Sequence, residues 1–303
     1  MEKTKREKTK YGRGIKSLIA VGLVAVIGIA ALTGCGSSGS SDKANRSDSS
    51  GKITIAGSTS VQPLSEFLAE NYQKDNSDVK IDVQGGGSGQ AVKSLNDGIA
   101  QIGALSRDIT DEEKSSVGKE YTIAKDGVAV VVNKDVSVDN LTLDQIKKIY
   151  TGEITNWKDV GGDDASIATV SREEGSGTRG AFTEITGVLT KDDSGKETDN
   201  TTKDAIVQSS TGAVVKTVGS TPNSIGYVSL ESVDKTVKAV TVEDVKASAE
   251  TVLDGTYKIS RPFIYAVGDE VDDATQAFID YVMSDEGQAR VKEAGYIPVS
   301  ESK

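Results

Sequence analysis

Residues 171–179 read Ser-Arg-Glu-Glu-Gly-Ser-Gly-Thr-Arg, so Arg172 stands four residues before Ser176, with Gly177 and Thr178 next. A guanidinium is a planar fork of N–H donors, and hydroxyls add more. Such a cluster can bind an anion, cradle a nucleotide phosphate, or be a plain polar turn. Two other stretches carry small hydroxyl-bearing turns: Gly57-Ser58-Thr59-Ser60, and Gly85 to Gly89 around Ser88. The chain of 303 residues has no histidine, and its only cysteine is Cys35. A Ser-His-Asp triad, His-ligated zinc or iron, an intrachain disulfide and a cysteine metal cluster are therefore excluded. The acids show no metal-like spacing, so no metal, cofactor or catalytic residue is expected.

Each turn sits between a strand pattern and a helix pattern. Ile53 and Ile55 alternate before the first turn; Val61, Leu64, Leu68 and Tyr72 recur at helical spacing after it, with Pro63 in the tolerant first turn. Val79, Ile81 and Val83 lead to the second turn, and Val92, Leu95 and Ile99 predict a helical stripe beyond it. Ile167 to Val170 lead to the third, where a helix is predicted from near Ser176 with Phe182 and Ile185 facing its core. The first amides of a helix lack intrahelical partners and carry the positive end of its dipole. One such turn reads as a simple N-cap; three in one chain, one of them with Arg172, favour an anion site. Nucleotide motifs fail in detail. Gly-Ser-Gly-Thr is followed by Arg179 rather than the Lys-Ser/Thr of a Walker loop, and the second turn lacks the acid and spacing of a dinucleotide fingerprint. The lone Trp157 reads as core.

The formal charge is −11; the first 34 residues hold seven Lys/Arg against two Asp/Glu, which leaves −16 on the rest. An acidic body with no basic stripe argues against nucleic acid. The first 16 residues are basic, an apolar run spans Leu18 to Leu32, and Leu32-Thr33-Gly34-Cys35 closes it. That is a secretory signal pattern, and its ending resembles a bacterial lipobox. The resemblance implies cleavage before Cys35, lipidation of Cys35 and a lipid anchor on the extracytoplasmic face of the cell membrane. The competing reading, an uncleaved anchor, needs ~20 apolar residues. Residues 36–50, rich in Ser, Gly and Asp, predict a tether unable to offset its ordering entropy.

Eight stretches — AGSTSVQPL, GGGSG, IGALSRDI, DGVAVVVN, IYTGEITNWKDVGG, REEGSGTR, NSIGYVSL and RPFIYAV — together resemble the phosphate-binding proteins of bacterial high-affinity phosphate ABC importers. The resemblance covers essentially the whole chain after the tether. It implies an α/β, two-lobed class II periplasmic-binding-protein fold, with two mixed-sheet domains joined by crossing strands. Residues 1–34 would be signal, 35–50 tether, 51–131 and 261–303 lobe I, and 132–260 lobe II. The crossings are expected in Val128 to Asn133 and near Ile259 to Tyr265. The resemblance further implies a non-enzyme that takes inorganic phosphate between the lobes and delivers it to permease subunits in the membrane. By position, Ser58, Thr59, Ser60, Ser88, Arg172, Ser176, Gly177 and Thr178 would contact phosphate, and Glu174 would orient Arg172. Ser106 stands where the best-known members have an aspartate that accepts the proton on phosphate. Arg107 next to it would either add a second fork or pair with Asp108 or Asp111. Within the same class the ligand could be sulfate or molybdate, and a sensor or surface lipoprotein could share the fold. A phosphatase using Ser176 or Thr178 would lack a histidine base.

Overall fold

The computed structural model describes residues 51–192 and 196–301. The signal pattern, Cys35 and the tether lie outside the described residues. Strand β1 (Gly51–Gly57) leads to helix α1 (Gln62–Asp75), β2 (Val79–Gly85) to α2 (Ser88–Asn96), and β3 (Ile102–Leu105) follows. The long β4 (Lys119–Asn133) comes next, then β5 (Asn140–Leu141), α3 (Leu143–Thr151), β6 (Ala168–Arg172) and α4 (Gly177–Thr186). After these come β7 (Leu189–Lys191), β8 (Glu197–Asp199), β9 (Ile206–Gln208), α5 (Thr211–Ser220), β10 (Ser224–Ser229), β11 (Val237–Ala239), β12 (Thr241–Val242) and α6 (Ala249–Leu253). The chain closes with β13 (Ser260–Val267), α7 (Asp273–Met283), α8 (Asp285–Glu293) and β14 (Ile297–Pro298).

Among the described residues, one mixed sheet runs in the order β2-β1-β3-β13-β4-β10-β6-β9, with β11 and β14 also paired to β4. The parallel pairs β1–β2, β1–β3, β6–β10 and β6–β9 all belong to strand–helix units. They aim several strand ends and helix starts in common directions. β4 joins the two ends of the sheet. Its first part, to Gly127, pairs with β13; from Val128 it pairs with β10. The unbroken Val128–Val132 run is fully buried, as a strand covered on both faces requires. The apolar core divides along the same line. Val128 to Val132 pack with Tyr150, Trp157, Phe182 and Tyr227. Ile123 and Ala124 pack instead with Ile53, Leu64, Phe263 and Phe278.

Trp157 is core, 1% exposed, with its Nε1–H donating to the Asn223 carbonyl at 2.9 Å. The stripe expected through Ile99 is corrected. α2 ends at Asn96, Gly98 takes φ +67°, and its N–H returns to the Leu95 carbonyl. This left-handed glycine stops the helix before Ile99 can reach the apolar face, and Ile99 is 56% exposed. Among the described residues no helix is long and apolar enough to cross a membrane.

Candidate functional site

The three hydroxyl-bearing turns meet, and a fourth joins them. Gly57 ends β1 at φ +145°, where an added Cβ would lie 2.2 Å from the Ala104 carbonyl; only glycine fits. The next amide, Ser58 N–H, donates to that carbonyl at 2.8 Å, tying the first turn to the end of β3. Gly86 and Gly87 N–H both donate to the Gly57 carbonyl, at 2.7 and 2.9 Å, which folds the second turn over the first. Gly89 N–H then reaches the Gly175 carbonyl at 3.1 Å, in the third turn.

Ser58 Oγ–H donates to Ser106 Oγ at 2.8 Å, and Ser106 N–H donates to Ser88 Oγ at 3.0 Å. Across from them lies Gly177, the first residue of α4. A Cβ there would stand 2.1 Å from Ser88 Oγ and 2.6 Å from Ser106 Oγ. Ser60 Oγ is 2.8 Å from Thr178 Oγ1 and 2.9 Å from Thr211 Oγ1. Arg172 donates from Nη1 to Thr211 Oγ1 and from Nη2 to Thr59 Oγ1, both at 3.2 Å. Ser60, Ser88 and Ser106 are fully buried, Arg172 and Thr178 are 1% exposed, and Ser176 is 3% exposed. Ser176 Oγ caps α4 by accepting from Arg179 N–H at 3.3 Å; its own proton remains available to donate.

Arg172 is fixed from below. Its N–H donates to the Tyr227 hydroxyl at 3.2 Å, and that hydroxyl lies 2.9 Å from Ser171 Oγ. Burial pushes the Tyr227 phenol up, so it stays un-ionised. Tyr227 stacks on Phe182 of α4 at 4.0 Å, and Tyr150 meets Phe182 edge-on at 4.8 Å. Strand β6 and helix α4, the elements that carry the arginine and the Gly-Thr pair, are thereby locked together.

Two expectations are corrected. Glu173, not Glu174, holds the Arg172 fork: Nε donates to Oε2 at 2.9 Å and Nη2 to Oε1 at 2.8 Å. Glu173 N–H bonds the Gln208 carbonyl, extending the strand pairing by one residue, and the Ser176 N–H to Glu173 carbonyl turn throws Glu174 outward. Glu174 is exposed and lines a cavity of about 850 Å³ with Arg107 and Arg179. Arg107 donates to the Asp108 carbonyl at 2.8 Å and to none of the hydroxyls described above. It forms a bidentate pair with Glu113, at 2.6 and 2.7 Å, rather than with the Asp108 or Asp111 carboxylates. Burial alone would raise the Glu113 carboxyl; bonds from Arg107 and Thr110 outweigh it and hold the group below its usual range.

Thr211 was missed. It opens α5, is 3% exposed, and touches Thr59, Ser60 and Arg172. The signal was present, because β9, Ser209-Ser210-Thr211 and α5 repeat the strand–turn–helix pattern; Ile206 and Val207 are too few to stand out as a strand.

The chemistry follows from this inventory. Helix starts from α1, α2, α4 and α5 surround buried hydroxyls and one guanidinium. No histidine is present to act as base, and the acid beside the arginine has both oxygens engaged by it. Such a set can hold an oxyanion.

Known proteins agree with this architecture. A family model described as a PBP superfamily domain matches residues 42–286. The phosphate-binding protein PstS of Bacillus subtilis (strain 168) is 36% identical over 283 residues, covering 89% of this chain and 90% of its own. A crystal structure of a putative phosphate ABC transporter substrate-binding protein with bound phosphate, from Clostridium perfringens, is 42% identical. It has a TM-score of 0.77 and covers 82% of this chain and 100% of its own. An ABC-type phosphate transport receptor from Vibrio cholerae follows with 37% identity and a TM-score of 0.68, covering 81% of this chain and 99% of its own. The chain belongs to the PBP superfamily, within the family of the PstS phosphate-binding proteins, and has their mixed α/β, periplasmic-binding-protein-like fold.

Proposed function

We propose that this protein captures inorganic phosphate outside the cytoplasmic membrane and delivers it to the permease subunits of an ABC importer. It does so without catalysis. The single observation behind this reading is the convergence of Arg172 with the hydroxyls of Thr59, Ser60, Thr178 and Thr211, a set drawn from both ends of the sheet and buried except at the half-exposed Thr59. Residues 51–127 with 260–303, and 128–259, act as two lobes that close over the ion by a hinge motion; Val128 to Val132 and Ile259 share the apolar core of Tyr150 and Phe182, which favours these bounds over the expected 131/132 and 260/261. Ser58, Thr59, Ser60, Ser88, Ser106, Arg172, Ser176, Gly177 and Thr178 supply contacts, with Thr211 added and Glu173 orienting Arg172. Cys35, lipidated after cleavage of the signal, anchors the protein to the membrane; loss of labelled palmitate from Cys35→Ala tests that step.

Net charge does not oppose this reading. Surface acids are screened beyond a Debye length of ~8 Å, whereas bonds inside the cleft are not. Each hydrogen bond to a charged group contributes ~1.5–3 kcal/mol, and micromolar affinity needs only ~8 kcal/mol. A second reading, another tetrahedral oxyanion, draws on Ser106, an uncharged residue among the hydroxyls. Titration calorimetry with phosphate, sulfate and molybdate decides. Saturable heat with phosphate alone supports the proposal, and preference for a fully ionised competitor at neutral pH rejects it.

A further inference from the structure

Capture as described makes no use of a fully enclosed ion pair at the strand crossing. Arg261 on β13 and Asp126 on β4 are cross-strand neighbours, each side chain 1% exposed. Arg261 Nε and Nη2 donate to Asp126 Oδ2 at 3.2 and 2.9 Å, and Ser229 Oγ–H donates to Oδ1 at 2.8 Å. The remaining nitrogen, Nη1, donates to the Ser106 carbonyl at 3.3 Å. Asp126 directly precedes Gly127, the last β4 residue paired with β13, and Ser229 opposes Val128, where pairing with β10 begins. One guanidinium therefore ties the end of β3 to the crossing of the sheet.

Stability alone explains this pair poorly. Two desolvated charges are often replaced by apolar side chains of similar volume without loss. What an apolar pair cannot do is hold a carbonyl. Ser106 is gripped on one side by Arg261 at its carbonyl and on the other by Ser88 at its N–H, and its hydroxyl faces Ser58 and the α-carbon of Gly177.

We propose that Arg261 is a positioning residue of the anion site: anchored on Asp126, its fork fixes the Ser106 backbone and so aims the Ser106 hydroxyl at the ligand. The inference rests on the anion-capture reading above. Lysine at 261 keeps a charge beside Asp126 but has no planar fork to reach Asp126 and the Ser106 carbonyl together.

The test is phosphate titration calorimetry on wild type, Arg261→Lys, Ser106→Ala and the Arg261→Lys/Ser106→Ala double variant, with ligand-free melting measured for each. Arg261→Lys should melt close to wild type yet bind phosphate about tenfold more weakly, the scale of one bond to a charged group. In the Ser106→Ala background the same change should cost less than about twofold, because the two residues act through one group. Unchanged affinity for Arg261→Lys, or an equal loss in both backgrounds, overturns the proposal. If Arg261→Lys does not fold, Asp126→Leu/Arg261→Met removes both charges. Weakened binding that depends on Ser106 then supports the proposal, and wild-type affinity overturns it. Absence of phosphate binding by the wild type removes the capture reading itself, and this inference with it.

Discussion

Gly177 is the position at which a single methyl should separate capture from stability. It opens α4, packed on the side of Tyr150 and Phe182, while Ser88 and Ser106 belong to the side of β1 and β3. An alanine Cβ would stand 2.1 Å from Ser88 Oγ and 2.6 Å from Ser106 Oγ. Relief requires turning both hydroxyls, which breaks the Ser106 N–H to Ser88 Oγ bond, or holding the two sides apart. Overpacking of this kind costs about 1–3 kcal/mol. On the proposed lobe closure the cost falls on the closed form, so phosphate affinity should drop about 5- to 150-fold. On the same proposal the ligand-free protein opens and avoids the clash, and alanine favours a helix over glycine by roughly 0.5–1 kcal/mol. Gly177→Ala should therefore melt at or above the wild-type temperature without phosphate. Titration calorimetry and ligand-free melting on the two proteins measure both quantities. Affinity within twofold of wild type would refute the idea that closure brings this α-carbon against the two serines.

Three further outcomes are expected. Arg172→Met should abolish measurable phosphate binding, because among the described residues it removes the one guanidinium bonded to the site's side-chain hydroxyls and leaves Glu173 without it; Lys158→Met, whose exposed pair with Asp164 is worth ~0–1 kcal/mol, should leave calorimetric affinity unchanged. Thr211→Val should weaken binding about tenfold while Thr211→Ser stays near wild type, since the hydroxyl rather than the methyl makes the contacts; equal losses in both would assign Thr211 to packing alone. The Glu113 carboxyl is held below its unfolded value, so its contribution to stability is present above the unfolded value and is lost as pH falls through the folded one. Glu113→Gln should accordingly lower the melting temperature near neutrality and match wild type in acid; a gap that persists in acid contradicts the Arg107–Glu113 assignment.

The parts legible in sequence share one property: their signal is local. β1 and α1, β2 and α2, and β6 and α4 each announce themselves by a change of apolar period across a small-residue turn. The seating of Arg172 among the hydroxyls follows from those units. The missed features depend on distance or on a single turn residue. Glu173 and Glu174 are adjacent and identical in type; only the pairing of β6 with β9, more than thirty residues on, chooses between them. Arg107 is claimed by Glu113 through a short turn whose shape no periodicity encodes. Ile99 fits a helical stripe by count, but Gly98 at φ +67° ends the helix first. Thr211 sits behind a strand of three residues. The Asp126–Arg261 pair joins residues 135 apart, which only the β4–β13 register brings together.

The central claim, that a tetraoxo anion is enclosed by helix starts and the Arg172 fork, is tested most directly by a crystal structure of the protein grown with inorganic phosphate. The account predicts phosphate oxygens at ~2.7–3.2 Å from Arg172 and from donors at the starts of α1 and α4, with Gly177 closed against Ser88. Phosphate bound elsewhere, or a closed cleft at saturating phosphate with Arg172 still bonded only to protein groups, would contradict it.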